Sequence, residues 1–404
     1  MKVLIIGAGI GGLAAARALR ADGHEVAVFE QAPGLRRTGA AVTLWSNGTG
    51  ILGELGVSLD GAGAPIDVLE TRDHHGKVLA SVDVARAAAH YGHPHLCLPR
   101  RRLLERLADG LPGGMVTFGR ACTGAAQDAV QDGAQDGAAV QATFADGTTE
   151  SGDLLIAADG RGSVVRDQLW GGDPAELTGW ATWQGISPVP IDVTSSHRGV
   201  MISGRAGSCG LMPCGEGLLQ WWFDQRWSPD APQPASTVAT LRERFGSWAG
   251  PVPEVLAAIT DADTGFFPHY RQRVPRAWGT GAMTVIGDAA HSMPPTRAQG
   301  ANQALEDAWA MARALRGAPD VPAALRAFEQ ERAPRVSVVA RQAGSEDINK
   351  HGVLLARLAP DGLASRYYTR FLGQVSSYLS SRASGRAGSN SSTRLPDGSS
   401  ARIC

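Results

Sequence analysis

The first 30 residues show an apolar run, a glycine turn and a second apolar run. Val3 to Ile6 are continuously apolar, which is typical of a parallel strand that is buried on both faces. Residues 7–12 read GAGIGG, and the alanine- and leucine-rich stretch that continues to about Ala21 predicts a helix. Glu25–Glu30 predicts the next strand. The pattern therefore predicts a strand, helix, strand unit with parallel strands.

The middle of the chain has a different pattern, in which short apolar segments are broken by Gly and Pro. From Trp180 to Phe223 the aromatic and apolar segments predict an antiparallel sheet. Gly114 to Phe118 and Val140 to Phe144 predict two further strands. The polar segment 125–139 lies between those two strands and lacks large apolar residues, so we interpret it as a mobile hairpin tip.

The last third of the chain is predicted to be mainly helical. Thr284 to Ile286 predicts a short buried strand, and a helix is expected over 301–316 because its apolar residues share one face. A further helix is predicted over 322–343. Residues 381–404 are rich in Ser and Gly and poor in apolar groups, which predicts a disordered tail.

Length and composition narrow the function. A chain of 404 residues predicts two lobes, and a net charge of -1 gives no electrostatic footprint for nucleic acid or an anionic membrane. We therefore expect a small-molecule substrate. The apolar strand begins directly after Met1 and Lys2, and no window is long enough for a membrane span, so a cytoplasmic protein is expected. The five cysteines lack metal-ligand spacing, so no metal site or disulfide framework is predicted.

The glycine turn has the spacing of a dinucleotide-binding motif. Gly7 permits the tight turn, Gly9 lets the backbone approach a pyrophosphate, and Gly12 allows close packing of helix and strand. The helix N-terminus presents N–H groups and a positive dipole to the phosphates. Glu30 lies about 20 residues further on, where it can accept hydrogen bonds from ribose hydroxyls. The motif alone leaves open whether the dinucleotide is FAD or NAD.

Two later motifs favour FAD. Residues 153–166 read DLLIAADGRGSVVR, which we call the Asp-Gly motif, and residues 287–302 read GDAAHSMPPTRAQGAN, which we call the Gly-Asp motif. With these motifs the chain resembles the group A flavoprotein monooxygenases, the para-hydroxybenzoate hydroxylase family, up to about residue 345. The resemblance implies that Asp159 lies where FAD and the nicotinamide cofactor approach each other.

The second motif also has a physical interpretation. Asp288 can accept hydrogen bonds from the ribityl hydroxyls of a flavin. Gly300, Ala301 and Asn302 open the next helix, and their free N–H groups can stabilise negative charge on the reduced flavin. Pro295 stiffens the backbone that would line the flavin face where oxygen reacts, so Pro295 and Gly300 are predicted catalytic positions.

Two further matches to the family and one departure from it concern individual arginines. Arg36 and Arg100 match family arginines that contact FAD, although Arg101 and Arg102 adjoin Arg100 and leave its register open. Arg297 stands where some relatives have glycine, and this long cation is expected to alter solvent access or the preference for substrate charge.

The substrate residues are predicted from the aromatic segments and from nearby titratable groups. Trp183, Trp222 and Phe267 are candidates to line an aromatic pocket. His269 is a candidate to help deprotonate a phenol, with a purely structural role as the alternative. Many relatives have arginine where this chain has Gln184. His291 is expected to brace the Gly-Asp loop.

The expected fold class is α/β (α+β), with a Rossmann-like βαβ FAD-binding domain and an inserted antiparallel-sheet substrate domain. The FAD-binding domain is predicted over 1–72, 98–176 and 279–345, and the substrate domain over 73–97 and 177–278. One C-terminal helix is expected over 346–380.

The resemblance implies that NAD(P)H reduces FAD, that O2 forms a flavin hydroperoxide, and that one oxygen atom passes to a small aromatic or polycyclic substrate. The absence of a second glycine motif agrees with transient NAD(P)H binding. Two alternatives remain, a flavin oxidase or epoxidase of the same fold and a non-catalytic flavin-binding protein.

Overall fold

The structure, a computed structural model, describes residues 1–36, 39–127, 140–172, 174–231, 235–358 and 360–382. The strands in chain order are β1 Lys2–Ile6, β2 Glu25–Glu30, β3 Ala41–Leu44, β4 Ala64–Pro65, β5 Val68–Asp73, β6 Val78–Asp83, β7 Leu96–Pro99, β8 Val116–Phe118, β9 Cys122–Gln127, β10 Val140–Phe144, β11 Thr149–Gly152, β12 Leu154–Ala157, β13 Ala175–Ser187, β14 Arg198–Gly204, β15 Gly207–Pro213, β16 Leu219–Arg226, β17 Gly265–Gln272 and β18 Met283–Val285.

The helices in chain order are α1 Ile10–Ala21, α2 Ser46–Glu54, α3 Ala85–Tyr91, α4 Arg100–Ala108, α5 Val164–Trp170, α6 Thr237–Phe245, α7 Val252–Ala258, α8 Asp288–His291, α9 Gly300–Gly317, α10 Val321–Gly344, α11 Asp347–Leu358 and α12 Asp361–Val375. Within the described part of the chain, no helix is long and apolar enough to cross a membrane.

A five-stranded parallel sheet forms the centre of the first domain, in the order β18-β12-β1-β2-β8. The predicted strand, helix, strand unit is confirmed as β1, α1 and β2. Val3, Leu4 and Ile5 are fully buried, because a parallel sheet is covered on both faces. The carboxyl ends of β1, β12 and β18 lie next to one another, so the motifs that follow these three strands meet at one edge.

The second domain is a seven-stranded sheet in the order β17-β13-β16-β15-β14-β5-β6. Its neighbours are antiparallel except β5 and β14, which run parallel. The sequence pattern identified the strands between Trp180 and Phe223 but not β5. The predicted domain boundary at residue 72 falls inside β5 and is therefore wrong, since the chain enters this sheet at Val68.

The two faces of the seven-stranded sheet have different neighbours. Directly opposite residues of an antiparallel pair share a face, and successive residues alternate between faces. Trp183 is paired with Phe223, and Gln184 is paired with Trp222, so Trp183 and Trp222 point to opposite faces. Phe223 belongs to an apolar core that includes residues of α6 and α7. The Trp222 face is directed toward the first domain and the C-terminal helices.

The C-terminal region forms two helices, α11 and α12, instead of the one helix predicted over 346–380. Helix α12 packs on β6 and α3. Of the disordered tail predicted over 381–404, residues 381–382 are helical, which corrects the prediction there, and the rest lies outside the described residues. Of the hairpin tip predicted over 125–139, residues 125–127 belong to β9 and the rest lies outside the described residues.

Candidate functional site

The glycine turn after β1 has the geometry that the motif predicts. Gly7 has φ +102°, and a Cβ atom there would meet the carbonyl oxygen of Ala158. A Cβ atom on Gly12 would meet the carbonyl oxygen of Gly7, so only glycine allows this contact between helix and strand. A Cβ atom on Gly9 would have nothing within 4 Å. The backbone at Gly9 is therefore open to the approach of a phosphate group.

Glu30 ends β2 next to this turn and is 9% exposed. One carboxylate oxygen accepts a hydrogen bond from the Ala8 amide at 2.8 Å, and the other accepts one from the Ala32 amide at 2.9 Å. The side chain thus braces the glycine turn as well as standing where a ribose is expected. Each oxygen retains a lone pair for a cofactor hydroxyl.

The three consecutive arginines at the start of α4 have different environments. Arg101 and Arg102 form salt bridges with Glu105 and Glu216 at the surface. Arg100 instead has a buried Nε atom without a hydrogen-bond partner in the described structure. This difference supports Arg100 as the arginine of the three that faces the cofactor.

Electrostatic interactions link Arg100 to two other predicted cofactor residues. Burial lowers the pKa of Arg100, the negative charge of Asp288 acts to raise it, and the positive charge of Arg36 acts to lower it. Arg36 itself is exposed. The structure therefore brings Arg36, Arg100 and Asp288 to the same region, although they are far apart in the sequence.

Asp159 follows β12 at the same edge of the parallel sheet. Its Oδ2 atom accepts a hydrogen bond from the Val164 amide at 3.1 Å, which holds the loop before α5. Its Oδ1 atom is buried without a partner in the described structure. Burial raises the pKa of Asp159, and the Ser163 hydroxyl partly offsets that effect. The free oxygen is an acceptor available to a ligand.

The Gly-Asp motif is held by a buried ionic network below it. Asp307 accepts hydrogen bonds from the Gly287 amide at 2.9 Å, from His291 Nε2 at 2.6 Å and from Arg332 Nε at 2.9 Å. Burial acts to raise the pKa of Asp307, but His291, Arg332 and the hydrogen bonds outweigh it and hold that pKa below its usual value. These contacts support a bracing role for His291. They leave the neighbouring Asp288 exposed.

The segment 294–299, which we call the flavin loop, connects α8 to α9. Pro295 is exposed and begins a short 3-10 turn, and Ala298 then adopts the left-handed conformation with φ +47°. A Cβ atom on Gly300 would lie 4.0 Å from Asp288 Oδ1. The first amides of α9, on Gly300 and Ala301, lack partners within the helix, and Gly300 lies beside the Asp288 carboxylate.

The side chain of Asn302 has a structural role. Its Nδ2 atom donates to the carbonyl oxygens of Thr43 and Ala298, both at 2.9 Å, and its Oδ1 atom accepts from the Trp45 amide at 3.0 Å. These three bonds tie α9 and the flavin loop to β3. Only the backbone amide of Asn302 therefore remains for the predicted contact with a cofactor.

An FAD molecule fits the polar groups at this edge of the sheet. Buried polar atoms without partners in the described structure include Arg100 Nε, Asp159 Oδ1, Gln299 Nε2, and both side-chain polar atoms of Asn47. Buried polar groups are normally hydrogen-bonded, so this set indicates a polar ligand. Sequence reasoning missed Asn47 and Gln299. The signal for Asn47 was the segment WSNG directly after β3.

The three aromatic candidates for the substrate pocket lie in different places. Trp222 lies on the face toward the first domain, and a Cβ atom on Gly210 would collide with its ring, so glycine makes room for the indole. Trp183 packs against Phe266 at 5.0 Å between ring centroids and belongs to the opposite face. Its predicted pocket role is therefore wrong. Phe267 is 36% exposed on the edge strand β17.

The environment of His269 argues against the predicted catalytic role. The side chain is fully buried, with Nε2 2.6 Å from Thr182 Oγ1 and Nδ1 2.7 Å from Glu346 Oε1. Asp224 lies 3.8 Å from Nε2. Because both ring nitrogens are engaged by protein groups, no nitrogen remains for a substrate hydroxyl. The structural alternative fits this geometry.

Comparisons with known proteins agree with the cofactor geometry. A family model described as an FAD binding domain matches residues 1–343. An FAD-dependent urate hydroxylase of Klebsiella pneumoniae subsp. pneumoniae is 30% identical over 341 residues, covering 83% of this chain and 87% of that protein. A 3-amino-4-hydroxybenzoate 2-monooxygenase of Streptomyces platensis is 32% identical over 389 residues, covering 91% of each chain.

A solved structure agrees with these relatives. Klebsiella pneumoniae HpxO complexed with FAD and uric acid has a TM-score of 0.85 at 27% identity, covering 93% of this chain and 97% of that one. The fold of this chain is thus similar to that of a protein solved with FAD bound. The chain belongs to the FAD-dependent aromatic monooxygenases of the para-hydroxybenzoate hydroxylase family.

Proposed function

We propose that this protein hydroxylates a small aromatic compound with O2 and NAD(P)H. In the balanced reaction, one oxygen atom of O2 replaces a ring hydrogen as a hydroxyl group and the other becomes water. NAD(P)H supplies two electrons and is oxidised to NAD(P)+, with one proton taken from solvent. Bound FAD supplies the redox and oxygen chemistry.

The observation that carries the proposal is the position of the flavin loop relative to the seven-stranded sheet. The polar groups that fit FAD stand on one side of this loop. The Trp222 face of the sheet, which carries Ile186 and Met212 beside the polar Gln184, is directed toward the first domain. A planar substrate would therefore lie between the flavin and the sheet.

Protein groups at this site bind and orient rather than react. Asp288 and Arg100 would hold the flavin chain, and the amides at the start of α9 would stabilise negative charge on the reduced ring. Pro295 would shape the backbone beside the ring. The Gly9 turn and Glu30 would bind the adenosine half.

The relatives support a small planar substrate. The names of two relatives specify urate and 3-amino-4-hydroxybenzoate. Urate is a planar pair of fused rings, 3-amino-4-hydroxybenzoate is a single planar ring, and both carry acidic groups. We extend to this chain only the common property, a small planar aromatic compound.

Oxidation of NADH and of NADPH by the purified holoenzyme tests the proposal. A panel of aromatic compounds is added under isotopically heavy O2, and product and hydrogen peroxide are measured together. We expect one compound or more to accelerate NAD(P)H oxidation and to gain one heavy oxygen atom. Peroxide formation without product would indicate an oxidase. FAD binding without any substrate-stimulated oxidation would indicate a non-catalytic flavoprotein, and either result rejects the proposal.

A further inference from the structure

Three aromatic rings from distant parts of the chain pack edge to face beside the flavin loop. The ring centroid of Trp45 lies 5.2 Å from that of His95 and 5.5 Å from that of Tyr368. His95 and Tyr368 are 6.1 Å apart. The indole Nε1 of Trp45 donates to the carbonyl oxygen of Ala298 at 3.1 Å. This bond fixes the three rings, which we call the ring cluster, against the flavin loop.

Tyr368 is held in this cluster by the docking of α12. The Asp83 amide donates to Ser365 Oγ at 2.9 Å, and the Tyr91 hydroxyl donates to the carbonyl oxygen of Thr369 at 2.8 Å. Both bonds join α12 to the region of β6 and α3. Tyr368 is therefore a fixed wall of the site and not a surface side chain that happens to lie nearby.

The hydrogen bonds of His95 define its tautomer. We assign the tautomer in which the Ser46 hydroxyl donates to the carbonyl oxygen of His93 at 3.0 Å and accepts from His95 Nε2 at 2.8 Å, because this arrangement satisfies both contacts. The Nδ1 atom then carries a lone pair, and it is buried without a partner in the described structure. Burial lowers the pKa of His95 to about 4, with an opposing effect of Asp67. His95 is thus a neutral hydrogen-bond acceptor.

Tyr368 and Arg297 provide the complementary donors. The Tyr368 hydroxyl is buried, and no described residue forms a hydrogen bond with it. Burial raises its pKa well above the usual value, so it remains protonated and can donate. Arg297 Nε is likewise buried without a partner in the described ranges. Burial lowers the pKa of Arg297, and Tyr367 and Asp347 oppose that effect.

Arg297 lacks a bound counterion among the described residues, since the Asp347 carboxylate acts on its pKa from beyond salt-bridge distance. Among the described residues, no carboxylate lies within the 4.0 Å of a salt bridge to it. A partly buried cation without an anion is costly, so an anion bound from solution would be stabilised there. The flavin loop places this cation two residues before Gln299, next to the residue that anchors Trp45.

The sheet completes the site on its remaining side. Trp222, Ile186 and Tyr368 all pack against one small apolar cluster. The members of that cluster are Ala41, Ile66, Val84, Cys97, Met212 and Cys214. The ring cluster and the Trp222 face of the sheet are therefore parts of one wall, and Tyr368 joins them.

We propose that Arg297 and Tyr368 bind an anionic group of the aromatic substrate and that His95 Nδ1 accepts a hydrogen bond from its ring hydroxyl. This inference rests on the proposed function and identifies the residues that would select the substrate. These hydrogen bonds would orient the substrate ring between the flavin loop and Trp222. An accepted hydrogen bond from the hydroxyl also increases the electron density of the ring, which favours electrophilic oxygen transfer.

Ligand binding to the holoenzyme without NAD(P)H tests this assignment separately from catalysis. The probes are the three isomeric hydroxybenzoates, the matching hydroxybenzamides without the charge, and benzoate without the hydroxyl. Dissociation constants are measured from changes in the visible flavin spectrum. We expect the parent enzyme to bind a hydroxybenzoate more tightly than both its amide and benzoate.

Single substitutions in this site should each change the dissociation constants of particular probe compounds. Arg297→Gln should weaken hydroxybenzoate binding about tenfold to hundredfold, as expected for a hydrogen bond to a charged group, and leave amide binding unchanged. Arg297→Lys should restore part of the charge preference. Tyr368→Phe should weaken hydroxybenzoate binding about threefold to tenfold. His95→Phe keeps an aromatic ring and should abolish the preference for hydroxybenzoate over benzoate.

Arg276→Gln is the matched control, because Arg276 is exposed in the loop before β18. It should bind all probes as the parent does. Equal weakening of acid and amide by Arg297→Gln, or no preference for any acid in the parent, would overturn the assignment. The Arg297 and Tyr368 variants decide the result even if His95→Phe does not fold. Absence of bound FAD, or absence of substrate-stimulated NAD(P)H oxidation, in the parent enzyme would instead reject the proposed function.

Discussion

Replacement of Asp307 by asparagine tests the network that supports the Gly-Asp motif. Asp307 is fully buried, and its two oxygens accept hydrogen bonds from Gly287, His291 and Arg332. Asparagine keeps the shape but has one acceptor oxygen and one NH2 group. Whichever way the amide turns, a donor faces a donor. The change also removes the negative charge closest to Arg332, whose side chain is fully buried.

The loss of stability caused by Asp307→Asn follows from the burial of Arg332. After the substitution, Glu306 at 3.6 Å is the one counterion that Arg332 retains among the described residues. Breaking a buried ion pair by removing one partner costs about 3 to 5 kcal/mol. With an unfolding entropy of about 2.1 cal/mol/K per residue over 404 residues, that cost lowers Tm by about 4 to 6 °C.

Thermal unfolding followed by circular dichroism measures this effect, with the exposed Asp230→Asn as control. The folded-state pKa of Asp307 is held below its unfolded value, so its contribution is fully present above the unfolded pKa, about 3.9, and is lost as pH falls through the folded pKa. The difference in Tm should therefore be constant from neutral pH to about pH 5 and should narrow below about pH 4. A Tm within about 1 °C of the control at neutral pH would refute the reasoning.

Four further outcomes are expected. Glu30→Ala and Asp288→Ala should each weaken FAD retention by about 1 to 3 kcal/mol, measured as FAD content after gel filtration, and unchanged retention would contradict the assigned role. Gly300→Val should lower the flavin midpoint potential and increase loss of NAD(P)H as peroxide with an unchanged circular dichroism spectrum, because a side chain there displaces the ring from the α9 amides; full coupling would contradict it. His269→Gln should lower the unfolding free energy by about 1 to 3 kcal/mol without changing the pH profile of turnover, whereas a shifted profile would restore its catalytic role. Ala298→Gly should stabilise the fold by up to about 1 kcal/mol, since relief of left-handed strain exceeds the added chain entropy; a lower Tm would argue against this conformation.

The sequence alone determined the features that depend on local periodicity and on backbone approach. The apolar run of β1, the glycine turn and β2 were predicted correctly, because a parallel strand, a tight turn and a dinucleotide each restrict the residue types directly. The long helices α9 and α10 were predicted within one or two residues of their ends. The family resemblance followed from motifs that are short and contiguous.

The tertiary structure alone decided which side chains share a site. Sequence patterns cannot show that Trp183 and Trp222 point to opposite faces, because this depends on the register between β13 and β16. The strand β5 was missed because the sheet position that it fills is set by parallel pairing with the distant β14. His269 has the chemistry of a base, and only its burial between Thr182 and Glu346 shows that it is structural.

The ring cluster is a second feature that only the tertiary structure decided. Trp45, His95 and Tyr368 come from parts of the chain that no local pattern connects, and their edge-to-face packing exists only after α12 docks on the sheet domain. The sequence marked Arg297 as unusual for its motif. The unpartnered Nε atom of Arg297 and the unpaired acceptor on His95 are both buried by the folding of these distant segments around the flavin loop.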